Sequence, residues 1–259
     1  MKIKYLAAYL TGKYDYNRKQ QVHSNDFNYI KAYYESIQKL KLQAIIFIDN
    51  ASEDFIDKYS NEYVSFYQVN ENQLTKNMHP HDARFLYFEE YIKQDTNTDY
   101  FVLTDVSDVI ILNPIEEILQ LNKNLLYVGF EGELISENVW FRKTYGFRSI
   151  RNNYHFFDSD NLLCNRILLN CGTLLGSRET ILIFLFLMKK TFNSIYSFGD
   201  QCAQENDSFF DKIPAPLDMF VTNYIIHKFF YDDNLFKGHG FTSLFSGEYF
   251  DMTTCVKHK

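Results

Sequence analysis

The sequence predicts an α/β protein built on a central mixed, mostly parallel sheet flanked by helices. Strand-like and helix-like stretches alternate across residues 1–120, the pattern of successive strand–helix units around a parallel sheet. Two of the strand-like stretches, LQAIIFIDN (42–50) and DYFVLT (99–104), are nearly continuous apolar runs, as expected of strands covered on both faces. The composition is that of a folded chain, 46% hydrophobic and 23% charged with 10 Gly and 4 Pro in 259 residues, which argues against disorder and long flexible linkers.

The elements follow in order. Residues 2–10 read as a first strand that stops at Thr11-Gly12. A helix over about 26–40 is predicted from Phe27, Ile30, Tyr34, Ile37 and Leu40 at helical spacing, with Ser24 or Asn25 as its cap. Strands at 42–50 and 62–69 come next, then a helix over 82–94 with Glu89, Glu90 and Lys93 facing out, then the strand at 99–104. Asn113-Pro114 ahead of IEEIL supplies a cap, a first-position proline and acidic first-turn residues. In the second half LLYVGF (125–130) reads as a strand. ILLNCGTLLGS (167–177) reads as two short strands or one bent strand around Asn170-Cys171-Gly172. A helix capped by Ser177 and another over 216–230, with Pro216 near its start, complete the chain. Residues 131–165 are the least regular and suit an acceptor-side insertion or a lid. No internal repeat or domain boundary is visible, so one domain over 1–259 is expected, with 1–120 as a nucleotide-binding half and 121–259 as an acceptor-side half.

The formal charge of −7 argues against a nucleic-acid-binding surface. Four cysteines, Cys164, Cys171, Cys202 and Cys255, show no metal-ligand spacing, which suits reduced thiols in a cytoplasmic protein. The N-terminal apolar stretch is too short for a signal peptide. The longest apolar run, Ile181 to Met188, is too short to span a bilayer. No transmembrane segment is expected, with peripheral association at the inner face of the membrane as the alternative to a free cytoplasmic protein.

The chemistry concentrates where the apolar strands end. Asp49 follows AIIFI and Asp105 follows FVLT, with Asp108 three residues on. Ligands of open α/β sheets bind outside the carboxyl ends of the strands. Neighbouring carboxylates there need solvent or a cation to compensate them. Oxygen donors suit Mg²⁺ or Mn²⁺, and an added histidine favours Mn²⁺. Asp is also an ordinary turn residue, so Asp105 and Asp108 alone leave cation binding and a plain polar turn both open.

LTDVSDVIILNP, followed by LLNCGTLLGS and then PLDMFVTNYIIHK, resembles the DxD-type motif and downstream segments of nucleotide-sugar-dependent glycosyltransferases of the GT-A fold, a Rossmann-related architecture. The spacing here is D-x-x-D, and no family within that fold is assigned. The resemblance implies a divalent cation, Mn²⁺ or Mg²⁺, held by Asp105 and Asp108 with His239 of FKGHGF as third ligand. It implies a UDP-linked donor, contacted by Asp49, Tyr14, Arg84, Asp105, Gly172 and Lys237. Asn170 would line the donor sugar, Cys171 would be a packing residue, and Asp218 would act as general base if the reaction inverts configuration. Arg84 is equally a surface arginine paired to a carboxylate, and Asp218 equally a helix cap. Lys76, His79 and His81 are weaker candidates. The expected function is transfer of a sugar to a glycan or lipid-linked acceptor in bacterial polysaccharide biosynthesis. The alternatives are a non-catalytic GT-A-like binding protein and a phosphatase of the haloacid dehalogenase type. The phosphatase expects its aspartate motif early in the chain, and here the motif lies far from the N-terminus.

Overall fold

The structure is a computed structural model that describes residues 1–11, 14–15, 20–72, 75–145, 163, 165–205, 216–230, 235–237, 241 and 254–258. Its strands are β1 (Ile3–Tyr9), β2 (Tyr14–Asp15), β3 (Gln20–Gln21), β4 (Ala44–Ile48), β5 (Val64–Gln68), β6 (Tyr100–Thr104), β7 (Val109–Ile111), β8 (Leu126–Leu134), β9 (Ile167–Ser177), β10 (Leu235–Lys237) and β11 (Val256–His258). The α-helices are α1 (Phe27–Leu40), α2 (Glu53–Tyr59), α3 (Pro80–Gln94), α4 (Ile115–Ile118), α5 (Val139–Tyr145), α6 (Arg178–Glu205) and α7 (Asp218–Phe229).

Seven strands form the central sheet in the order β10-β8-β9-β6-β1-β4-β5. All its pairings are parallel except those of β9, which runs antiparallel to both β6 and β8. The strand order turns back at β1, which lies between β4 and β6. The crevice outside the carboxyl ends of strands at such a reversal is where open α/β sheets bind ligands. The mixed, mostly parallel sheet with flanking helices is the architecture expected from the sequence. Both halves of the chain contribute to the one sheet, because β9 from the second half is inserted beside β6 from the first.

The strands are covered on both faces, which explains their continuous apolar runs. Leu6, Phe47, Phe101 and Leu103 point into a core shared with α3, α6 and α7. The alternating residues Tyr5, Ala7, Ile46, Ile48 and Val102 point into a second core shared with α1. All five residues of β6 are buried. Among the described residues no helix is long and apolar enough to cross a membrane.

Several local expectations are corrected. The cap of α1 is Asp26, whose side chain accepts the Asn28 N–H, while Asn25 sits in the left-handed region at φ 60° and its side chain accepts the Ser52 N–H. A helix absent from the sequence reading, α2, forms over EDFIDKY with the Ser52 hydroxyl capping it at Phe55 N. Glu89 does not face out. It is 1% exposed and lies between Lys93 Nζ at 2.7 Å and Lys189 Nζ at 3.1 Å, because α6 packs over that face of α3 and supplies the second lysine. Residues 167–177 form one strand, and its irregularity appears as register shifts against β8. Ser177 does cap α6, accepting the Thr180 N–H at 3.3 Å.

Candidate cation site at the carboxyl edge of the sheet

The site is built where LTD and NCG lie side by side. Strands β6 and β9 pair with Thr104 opposite Thr173. One residue further on, the Asp105 N–H donates to Gly172 O at 2.9 Å. Two of the three segments that carry the sequence resemblance are therefore adjacent antiparallel neighbours. Beyond Asp105 the chain turns through Val106 and Ser107, and Asp108 brings it into β7. That short strand pairs antiparallel with β11, placing His258 opposite Val109. Asn113 fixes the pairing by donating its side-chain amide to Thr254 O at 2.9 Å.

Asp105, Asp108 and His258 consequently converge, with one ligand atom from each lying within 4.8 Å of the others. His258 Nε2 is 3.4 Å from Asp105 Oδ2 and 3.8 Å from Asp108 Oδ1. Burial pushes the His258 imidazole below its ordinary value. That direction favours the neutral ring, the form that ligates metals. Among the described residues Asp108 Oδ1 is buried with no hydrogen-bond partner, and a buried polar atom without a partner calls for a compensating group. Gly172 leaves room for the cluster, since a Cβ there would lie 2.5 Å from Asp105 Oδ2 and 2.8 Å from His258 Nε2. The donor chemistry, two carboxylates and an imidazole, fits a hard divalent cation of the Mn²⁺ kind.

Arg84 stands behind the cluster. It is 5% exposed, so it is not a surface arginine. Its Nη1 donates to Asp105 Oδ1, and its Nη2 donates to Asp218 Oδ2 at 3.1 Å. Asp218, expected as a general base, is the buried counter-ion of this guanidinium, and its Oδ1 accepts the Met219 N–H at 2.8 Å. It does not cap α7 with its side chain, since it is the first residue of that helix. His81 Nδ1 lies 3.9 Å from Asp218 Oδ2, and burial pushes this imidazole down as well. Two residues before Arg84, Asp82 is fully buried and accepts from Tyr196 Oη at 2.8 Å and Leu217 N at 3.0 Å. Burial, reinforced by Asp218, pushes its carboxyl up.

Asn170 is tied into the protein. Its Oδ1 accepts the Gly172 N–H at 2.7 Å, and its Nδ2 donates to Glu131 Oε1 at 2.5 Å. Burial pushes the Glu131 carboxyl up to about 7 against the opposing pull of that hydrogen bond. Cys171 is buried, and burial raises its thiol well above the ordinary range. That is the state of a packing residue and not of a nucleophile.

A cleft opens beside the cluster, lined among others by Tyr14, Tyr29, His79, His81, Arg84 and Asp108. Tyr14 is 42% exposed there. Asp49 does not line it. Its carboxylate accepts the Thr11 N–H at 2.9 Å and the Thr11 hydroxyl at 3.0 Å, tying the end of β4 to the end of β1. Lys237 lies on β10, parallel to β8. His239 lies outside the described residues.

The structure thus brings together Asp105, Asp108, Gly172, Arg84, Asn170 and Asp218 and adds His258, Glu131 and Asp82, which sequence reasoning missed. The one trace of His258 was the period of two in CVKH, with Val256 and His258 buried on either side of the half-exposed Lys257. The chain is an α/β protein with an acidic, imidazole-completed cluster at the strand-order reversal of its sheet. It matches no protein-family model and no curated protein.

Proposed function

We propose that the protein is a metal-dependent glycosyltransferase that moves a sugar from a nucleotide-sugar donor, a UDP-sugar, to a glycan or lipid-linked acceptor. The observation that carries this reading is the convergence of Asp105, Asp108 and His258 beside a cleft lined by tyrosine and histidine side chains at the reversal point of the sheet. The order β5-β4-β1-β6 with an antiparallel β9 next to β6 is compatible with the GT-A fold that the motifs imply. Asp105, Asp108 and His258 would hold Mn²⁺, or Mg²⁺ in its place. Such a cation would supply Lewis-acid stabilisation of charge on the leaving diphosphate.

The chain's own residues bind and orient. Tyr14 and Tyr29 line the cleft, where an aromatic side chain can pack against a planar base, and the two stacked imidazoles of His79 and His81, with centroids 5.0 Å apart, line it too. The setting is cytoplasmic, which agrees with the free thiols of Cys171 and Cys255.

The test is release of UDP or GDP from a panel of sugar nucleotides with Mn²⁺ and with a chelator. Release of UDP from at least one UDP-sugar, lost with the chelator and in Asp108→Asn, is the expected result. Mn²⁺-dependent UDP binding with no release from any donor would instead identify a binding protein. Absence of both would remove the reading.

A further inference from the structure

The resemblance puts a nucleotide-contacting arginine at Arg84, but the structure commits that guanidinium elsewhere. One arm of its fork donates to Asp105 Oδ1 and the other to Asp218 Oδ2 at 3.1 Å, with Cys171 Sγ 3.7 Å from Nη2. The side chain is 6% exposed and the Asp218 side chain 4%. Asp105 therefore has one oxygen occupied and one left over. The remaining Oδ2 is the atom that faces His258 Nε2 at 3.4 Å.

We propose that Arg84 is a positioning residue of the cation site: braced by Asp218, its guanidinium pins Asp105 so that Oδ2 alone is presented to a divalent cation. This rests on reading Asp105, Asp108 and His258 as a cation site. A carboxylate with two free oxygens can rotate and bind through one or both. Held on one side by a planar fork, it offers a single oxygen in a single direction.

The brace is itself anchored. Asp82, two residues before Arg84 on α3, accepts the Leu217 N–H at 3.0 Å, while Arg84 holds the next residue, Asp218. Two side chains of α3 thus grip two successive residues at the start of α7, and Tyr196 of α6 secures Asp82 from behind at 2.8 Å. The orientation of a cation ligand on the β6 edge is in this way tied to the seating of α7.

Two effects of Arg84 on a cation oppose each other. Its positive charge repels the cation, and its fork preorganises Asp105. Asp218 matches the charge at 3.1 Å, which cancels much of the repulsion and leaves the geometric constraint. Partners that orient a metal ligand from outside the coordination sphere are typically worth about 10–100-fold in metal affinity.

The experiment is titration of the full chain with Mn²⁺ alone, followed by calorimetry and by the electron paramagnetic resonance signal of free Mn²⁺. Arg84→Met, Arg84→Lys, Asp218→Asn and Asp108→Asn are compared with the unsubstituted chain, and circular dichroism checks that each is folded. Arg84→Met and Asp218→Asn are expected to weaken Mn²⁺ binding by about 10–100-fold. Arg84→Lys keeps the charge but cannot fork to both carboxylates, so it should fall between. A merely structural role would lower the melting temperature and leave the affinity of the folded protein unchanged. Unchanged or tighter Mn²⁺ binding by folded Arg84→Met overturns the inference, and if that variant does not fold, Asp218→Asn decides on the same criterion. Loss of binding in Asp108→Asn beside unchanged binding in the Arg84 variants would sink the positioning role and leave the cation site standing. Unchanged binding in Asp108→Asn would remove the site and this inference together.

Discussion

Strands β4 and β6 flank β1 on either side, and both run as buried apolar stretches into an aspartate, Asp49 and Asp105. From sequence the two strand ends are equivalent, and both are candidates for the floor of one site. In the structure Asp49 is absorbed by Thr11, whose N–H and hydroxyl it accepts. Asp105 meets Gly172 of β9, His258 of the C-terminal strand and Arg84 of α3. The difference lies in what the rest of the chain brings to the strand end. A neutral threonine satisfies one carboxylate and closes a turn. Around the other, Asp105, Asp108 and Asp218 lie with one guanidinium and two imidazoles whose basicity burial lowers. An added cation would offset such an excess of carboxylate.

The sharpest way to break the comparison is to remove the ligand that only one strand end possesses. For the unsubstituted chain, Mn²⁺ with UDP at about a hundred times its dissociation constant adds about 2.7 kcal/mol, a rise in melting temperature of roughly 5–10 °C for a chain of this size. Asp108→Ala should abolish that rise in a thermal-shift measurement. Gly172→Ala comes next. A methyl group 2.5 Å from Asp105 Oδ2 must displace the cluster, so a loss of about 1–3 kcal/mol in urea unfolding is expected, with the Mn²⁺ response lost as well.

A subtler effect concerns Glu131, whose carboxyl rises from 4.5 to about 7 on folding because it is buried. A group raised in the folded state contributes stability that is fully present below its unfolded value and lost as pH rises through its folded value. Glu131→Gln should therefore gain on the parent chain by about 1–3 kcal/mol between pH 4.5 and pH 7.5, read from urea midpoints across that range. His81 and His258, both lowered by burial, act with the opposite sign. Their contribution is present above about pH 6.5 and is lost as pH falls through their lower folded values. The smallest effect belongs to Asp49→Ala. It should cost about 1–2 kcal/mol through the lost Thr11 hydrogen bonds, with Mn²⁺ affinity unchanged.

What was legible in the sequence follows the range of the interactions involved. Strands buried on both faces announce themselves as apolar runs, and helices with a good period announce theirs, so β1, β4, β6, α1 and α3 were readable. The adjacency of LTD and NCG was readable only as an order of motifs, since antiparallel pairing of β6 with β9 joins segments about seventy residues apart. Glu89 was misplaced because its partner Lys189 lies 100 residues away, and no local pattern marks a charge that a distant helix will cover. The same reason hid His258. Its three-residue strand has little propensity signal of its own, and its place beside Asp108 is set by pairing with β7. Arg84 was singled out with two roles left open, a nucleotide contact and a pairing with a carboxylate, because residue type alone does not separate an arginine that waits for a phosphate from one already engaged by two carboxylates.

The central claim is that the end of β6, and not the end of β4, is a divalent-cation site. Calorimetric titration of Mn²⁺ into the full chain, into Asp49→Asn and into Asp108→Asn tests it most directly. The account predicts one Mn²⁺ per chain with equal affinity for the parent and Asp49→Asn, and no measurable binding for Asp108→Asn. Equal binding by all three, or binding lost with Asp49→Asn and kept by Asp108→Asn, would contradict it.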